Sequence, residues 1–472
     1  MKSNVFDDRL NAAAGYRHIL NMAVPLVLAS SGHAIRLVAD RIMLARYSQA
    51  AIAASMPAGL SCFVMMSFFI GTAGYVNTFV AQYTGAGQAD RAGQAVWQGL
   101  YLSLLGGLLI AILGETAESL FALMGHAAEV QVQQVDYFRI LCRLSAPGIM
   151  LATILGFWSG RGRTYIVMAI ELLAAGLNII LNHALIFGHW GLPEMGITGA
   201  GAATGISNMV ALIAAFVLLL GPANRRRFGT WPHRTFNPVM LMRLLRFGIP
   251  NGMQFMLDLA AFNVFVVFLG RFGTEALEAT NMAFGLNACS FIPLLGIGLT
   301  ASILVGQCVG AGRIDIAQIA VRRCMLIALA YTVGLGIFLI FQPLLVLRMF
   351  QRGDDPGQAA TIQMAVHFVR FIAVYLIFDA MYIVYHHAIK GAGDTRFAMF
   401  MGLTISWGTL VLPCFMAYKS GASIWTMWII FVGHVILAGV LFYWRYRNGA
   451  WKNMRVIEPS PDTPETVAID VP

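Results

Sequence analysis

Val80-Ala81-Gln82-Tyr83-Thr84-Gly85-Ala86-Gly87-Gln88-Ala89-Asp90 follows one long apolar stretch, and Val305-Gly306-Gln307-Cys308-Val309-Gly310-Ala311-Gly312-Arg313-Ile314-Asp315 follows another. The two align at an offset of 225 residues, which also places Pro25 on Pro250. A second pair recurs later in each half: Arg139 matches Arg370, and Gly160-Arg161-Gly162-Arg163-Thr164 matches Gly391-Ala392-Gly393-Asp394-Thr395, at an offset of 231. A chain that repeats itself at this period holds two copies of one structural unit. The Gly-Ala-Gly elements read as turns that end helices, where glycine tolerates the positive φ that other residues avoid. They are not phosphate loops, because no strand pattern precedes them and no Lys-Ser/Thr follows.

Composition sets the solvent. Of 472 residues, 58% are hydrophobic and 11% charged, against about 25% charged in soluble domains. With a mean hydropathy of +0.72, no water-soluble fold hides that much apolar surface. A membrane helix takes about 20 apolar residues. Twelve such stretches run at 18–44, 51–82, 95–116, 137–160, 164–188, 196–220, 243–270, 280–309, 318–346, 364–390, 397–418 and 422–445. The fold class is therefore all-α integral membrane, with twelve transmembrane helices in two pseudo-symmetric six-helix lobes. The expected division is an N-terminal lobe with its connecting loop over 1–230, a C-terminal lobe over 231–448 and a tail over 449–472. An even number of spans per copy gives both copies one orientation and an axis along the membrane normal. Two such lobes can rock and open a mid-membrane site to one side at a time.

Charge sets the orientation. The opposite loops hold only Arg41, Arg46, Arg271, Arg348, Arg352 and Lys419, and Arg36, Arg139, Arg143 and Arg370 fall inside or at the edges of helices. The rest of the 31 Lys and Arg, from Lys2 and Arg9 to Lys452 and Arg455, lie with both termini, which makes that side cytoplasmic. The net charge of +9 is thus a positive-inside bias, and Arg225-Arg226-Arg227 is expected to touch anionic headgroups, not nucleic acid. Asp7, Asp8 and Arg9 precede the first apolar run, so that run is expected to be retained as a helix. After Trp451, the stretch Glu-Pro-Ser-Pro-Asp-Thr-Pro-Glu cannot bury a core and predicts a disordered cytoplasmic tail. The six cysteines are scattered singly at no metal or redox spacing and read as small buried hydrophobes.

Ionisable residues within spans cost about 2.5–3.5 kcal/mol each on insertion scales, so they mark candidate sites. In the second half, Asp258 lies eight residues after Pro250, whose ring frees backbone carbonyls by bending its helix. Asp379 has Tyr375 one turn before it, on the same face. Two carboxylates and a phenol suit either a sodium ion or a shared proton. In the first half, Asp40 follows Arg36 by one turn and is either a proton carrier or an ion-pair partner of that arginine. Asn178 and Asn182 share a helix face, and Thr204 opens the polar side of the next span. Glu171 is expected nearer the cytoplasmic surface, and His33 and His183 are weaker candidates. The 25 Met and 31 Phe are mostly lipid-facing or packing residues, of which a subset could line an adaptable cleft.

At these motifs the chain resembles the multidrug and toxic compound extrusion (MATE) family, from about Ala23 to Tyr446. The resemblance is carried by Pro25 with Ala39-Asp40-Arg41-Ile42-Met43, Gln82 through Gly87, Asn178-Ile179-Ile180-Leu181-Asn182, Gly196 through Thr204, Pro250 with Asp258, Tyr375 with Asp379, and Gly391 through Thr395. It implies a V-shaped antiporter of the bacterial inner membrane that expels cationic or amphipathic compounds against Na+ or H+. It further implies a first-half site of Asp40, Asn178, Asn182 and Thr204, and a second-half cation site of Asp258, Tyr375 and Asp379. The chain carries Asp258 where the sodium-coupled branch usually has Glu, and Asn182 where some proton-coupled members have Asp. The expected partners are small organic substrates and membrane lipids. No nucleic acid and no cofactor beyond the coupling ion are expected, and the chain is expected to act as a monomer. A flippase for lipid-linked saccharides would need a cationic chamber, whereas the inventory here is mainly acidic, with Arg36 the main exception. An integral-membrane transferase would need a metal cluster or nucleophile motif at a membrane face, and the sequence carries neither.

Overall fold

A computed structural model describes residues 14–122, 127–348 and 358–458. Among them no strand occurs, as hydrocarbon demands of a chain that must satisfy its backbone internally. Eleven helices are long and apolar enough to cross a membrane: α1 Tyr16–Tyr47, α2 Gln49–Gly85, α3 Arg91–Gly114, α5 Thr164–Phe187, α6 Gly196–Leu219, α7 Pro238–Gly270, α8 Thr274–Gly310, α9 Ile314–Phe341, α10 Gln358–Ala392, α11 Thr395–Lys419 and α12 Ile424–Asn448. The twelfth, α4, is the pair Ala128–Arg143 and Ser145–Gly160, bent by 44° at Leu144. All twelve expected spans are present; about half pass an expected limit by a turn or more, whereas α5 and α6 stop one residue short and α9 ends at Phe341 instead of 346. Lys2, Arg9 and Arg352 lie outside the described residues.

The repeat is reproduced bond for bond at its turns. Gly87 and Gly312 both take φ 72°. Gln88 N–H donates to the Tyr83 carbonyl (3.0 Å) as Arg313 N–H does to that of Cys308 (2.8 Å). In the later motif, Gly162 and Gly393 are left-handed at φ 75° and 120°. Arg163 N–H meets the Trp158 carbonyl at 2.9 Å, and Asp394 N–H meets that of Ile389 at 3.1 Å. Only glycine adopts these angles without strain, so the turns were readable as turns from composition alone. Where the first copy has Arg163, the second has Asp394, which is buried and held by Arg445 Nε at 2.8 Å, with that guanidinium 4.3 Å over Phe397.

Backbone proximity divides the described residues at Val27 and Met256, not at the connecting loop. One compact unit lies within Leu28–Met256; the other comprises residues 14–27 and the described residues from Leu257 onward. The first half of α7 therefore packs within the Leu28–Met256 unit. A Cβ on Gly71 of α2 would stand 2.6 Å from the Gly252 Cα, and Asn251 Nδ2 donates to the Gly71 carbonyl at 2.6 Å. Small residues let the two backbones approach, which is how helices attract one another where lipid removes the hydrophobic drive. The connecting loop belongs to the same unit. Trp97 Nε1 donates to the Thr230 carbonyl (2.6 Å), Gln98 Nε2 to that of Thr235 (3.1 Å), and the Tyr101 hydroxyl to that of Arg234. The basic run forms the short helix Pro222–Phe228.

In the other unit, α1 approaches α8 through Gly296, where a Cβ would meet Val27 and Ala23. Its core is aromatic: Phe368 stacks on Trp428 at 4.5 Å and Phe265 on Phe431 at 4.9 Å. The expected disorder from residue 449 is corrected over its first ten positions. Gly449 turns at φ 78°, Trp451 stacks on Tyr446 at 5.2 Å, and Trp451, Val456 and Ile457 are buried. Polar composition was legible there, but the two aliphatic residues after Arg455 supply an anchor it hid. The remainder of the tail lies outside the described residues.

The outward faces carry the opposite polarity from a soluble protein. On α3, Leu105, Leu108 and Ile112 share one stripe and are 53%, 54% and 68% exposed. Such a stripe has no place in water and needs none in hydrocarbon.

Candidate functional site

Two polar clusters sit inside the spans, one in each unit. In the Leu28–Met256 unit, Asp40 comes from α1, Asn178 and Asn182 from one face of α5, and Thr204 from α6. They form a continuous chain. Asn182 Nδ2 uses one hydrogen on an Asp40 carboxylate oxygen and the other on Asn178 Oδ1 (3.1 Å), and Asn178 Nδ2 donates to Thr204 Oγ1 at 3.2 Å. Asn178 and Asn182 are fully buried, and Asp40 is 8% exposed. All four sequence candidates thus meet in one place. The Asn182 carbonyl oxygen is buried with no partner, leaving an acceptor beside the carboxylate. Tyr137 of α4 stands within electrostatic reach of Asp40; its position outside the α5 and α6 pattern gave no sequence signal.

Of the two readings of Asp40, the ion pair with Arg36 is not made. Its guanidinium donates to Asn208 Oδ1 at 3.0 Å and to His33 Nδ1 at 2.8 Å, and no carboxylate of the described residues lies within ion-pair distance. An arginine only donates, so His33 accepts through Nδ1. A turn of helix separates Arg36 from Asp40, yet their side chains take different partners from α6 and α5. Asn208 was not foreseen, because its partner is 172 residues away. Glu171 lies beside the middle of α1: a Cβ on Gly32 would be 3.9 Å from its carbonyl. It lies close enough to Arg36 to feel its charge without bonding to it. His183 is apart from this cluster. Its ring lies 4.5 Å from that of His189, and both are exposed at the end of α5.

In the second unit, Asp258 of α7 accepts from Ser406 Oγ at 2.8 Å, and the Tyr382 hydroxyl lies within its electrostatic reach. Ser406 opens a π-helical stretch, Ser406–Val411, within α11. The same stretch sends Trp407 Nε1 to the Leu257 carbonyl (3.3 Å) and brings Thr409 Oγ1 to His434 Nδ1 (3.2 Å). Single π turns of this kind concentrate at functional sites, because the extra residue re-aims side chains. Asp379 and Tyr375 of α10 are 8% and 1% exposed. The Tyr375 hydroxyl is buried without any hydrogen-bond partner. Tyr382, three residues after Asp379 on the same face, feels both carboxylates. The predicted trio is therefore present on two helices, but it is Ser406 that bonds to Asp258, with Tyr382 within its electrostatic reach. Tyr382 was visible as a continuation of the Tyr375–Asp379 face; Ser406 depends on a helix irregularity no periodicity reveals.

This is a transporter's arrangement: many spans, a duplicated unit, and carboxylates within the spans alongside the unpartnered side-chain oxygens of Asn182 and Tyr375. The family model described as MatE matches residues 25–183 and 250–416, and the chain belongs to that family of multidrug efflux transporters. It is 25% identical over 440 residues to the "Probable multidrug resistance protein NorM" of Brucella suis, covering 91% of this chain and 92% of that one. It is 28% identical over 433 residues to the "Multidrug resistance protein NorM" of Burkholderia vietnamiensis, covering 90% and 92%. Among solved structures it shares its fold with the "Outward-facing conformation of a multidrug resistance MATE family transporter of the MOP superfamily". That match has a TM-score of 0.83 at 18% identity, covering 94% of this chain and 98% of that one.

Proposed function

We propose that the protein is a secondary active antiporter that exports small organic, cationic or amphipathic compounds in exchange for Na+ or H+. It would sit in the plasma (inner) membrane as a monomer with both termini cytoplasmic, and it catalyses no covalent step. Membership of the MatE family supports the export of small molecules. The observation that carries ion coupling is the Asp379–Tyr375 pair. The Asp379 carboxylate, 8% exposed, follows by one turn a phenol oxygen that is buried without a partner, which is costly unless a cation or proton joins them. Asp258, fixed by Ser406, supplies the second carboxylate of that site. The chain Asp40–Asn182–Asn178–Thr204 forms a separate polar site for substrate or proton.

Proteoliposomes with sodium and proton gradients imposed one at a time identify the driver. The gradient that fails to move substrate is not coupled. Asp258→Asn and Asp379→Asn are expected each to abolish gradient-driven export while leaving expression intact; unimpaired transport in both variants would falsify the ion-site assignment.

A further inference from the structure

The first-half cluster holds a group that cation export does not use. Arg36 is 8% exposed within α1. A buried guanidinium in a span costs free energy unless its charge is met, and the usual partner is a carboxylate. Here both of its bonds go to neutral acceptors, Asn208 and His33. Guanidinium has five donors, and these two bonds leave the others without acceptors among the described residues. Nε makes no bond and is not among the occluded, unpaired atoms, so the guanidinium keeps accessible surface at that nitrogen. Asn208 and His33 thus hold the guanidinium in place without neutralising it. Such a fork, pre-set in orientation, matches the paired oxygens of a carboxylate or phosphate.

Asp40 lies four residues on, about 6 Å along the helix axis, and presents negative charge to the same unit. We infer that Arg36 reads an anionic group on the exported compound, so that this site takes zwitterionic amphiphiles whose carboxylate or phosphate lies about one helical turn from a cationic centre. The anion would take the free edge of Arg36, and the cation would take Asp40 or Glu171. The inference rests on the export reading above and narrows it from cations to compounds of mixed charge.

The test uses purified full-length protein and a xanthylium dye in two forms, the free carboxylic acid and its ethyl ester, with binding followed by fluorescence anisotropy. A charge-assisted bond to a desolvated group is worth roughly tenfold to a hundredfold in affinity. The wild-type protein is expected to bind the acid tighter than the ester by that factor. Arg36→Gln is expected to erase the preference while changing ester affinity less than about threefold, which loss of general packing would not do. Arg36→Lys, which keeps the charge but not the fork, should retain only part of it. Equal binding of acid and ester by the wild type overturns the assignment whether or not any variant folds, as does an equal loss of both ligands in Arg36→Gln. If neither dye is bound or exported by the wild type, the export reading fails first and this inference with it.

Discussion

Replacing Tyr375 by Phe removes one oxygen atom from the second-half site and separates a binding role from a structural one. The hydroxyl is 1% exposed and has no hydrogen-bond partner. A buried polar group left unmet costs about 1–3 kcal/mol, and phenylalanine fills nearly the same volume. The ion-free protein is therefore expected to gain about 1 kcal/mol or more of stability, roughly 2–4 °C per kcal/mol for a unit of this size. Ser406→Ala makes the contrast, since its hydroxyl bonds to Asp258 at 2.8 Å. Losing a bond to a charged group costs about 1.5–3 kcal/mol, so that variant should melt lower. The assay is thermal unfolding of detergent-solubilised protein, without and then with the coupling ion. A ligand at a hundredfold excess over its Kd adds about 2.7 kcal/mol to the native state. Wild type should show such an increment and Tyr375→Phe much less, together with weaker gradient-driven export. The reasoning is refuted if Tyr375→Phe melts below wild type, or if the ion stabilises both equally.

Two further substitutions probe the scaffold. Gly71→Ala would place a methyl 2.6 Å from the Gly252 Cα, where backbone and not a pliable side chain must yield. A loss of about 1–3 kcal/mol, measured as a lower melting temperature, is expected. Arg445→Met strands the buried Asp394 carboxylate and should cost about 3–5 kcal/mol. Adding Asp394→Asn should restore most of that stability, and a double variant no better than the single one would argue against the ion pair as the cause.

Much of this architecture was written in one dimension. Twelve apolar stretches and two pairs of glycine turns required no tertiary information, because hydrocarbon forces helices and positive φ selects glycine. Asp40, Asn178, Asn182 and Thr204 could be grouped because helical spacing puts the asparagines on one face and polar residues in lipid seek each other. What escaped were partners fixed by helix rotation and irregularity. Arg36 faced Asp40 by spacing alone, yet Asn208 and His33 took its donors. Ser406 reaches Asp258 only because α11 widens into a π turn. Trp451 looked like the start of a disordered tail because composition cannot show that Tyr446 offers it a ring to stack on.

The division of packing at Val27 and Met256 bears on how the molecule can be taken apart. Cutting the gene in the connecting loop would give two fragments of equal span count, and neither would contain a whole packing unit. The first fragment would lack Pro238–Met256, whose glycines seat against α2, and the second would lack the α1 segment that seats on Gly296. Each piece would enter the membrane with an unfilled slot, and only co-expression would let each supply the helix the other is missing.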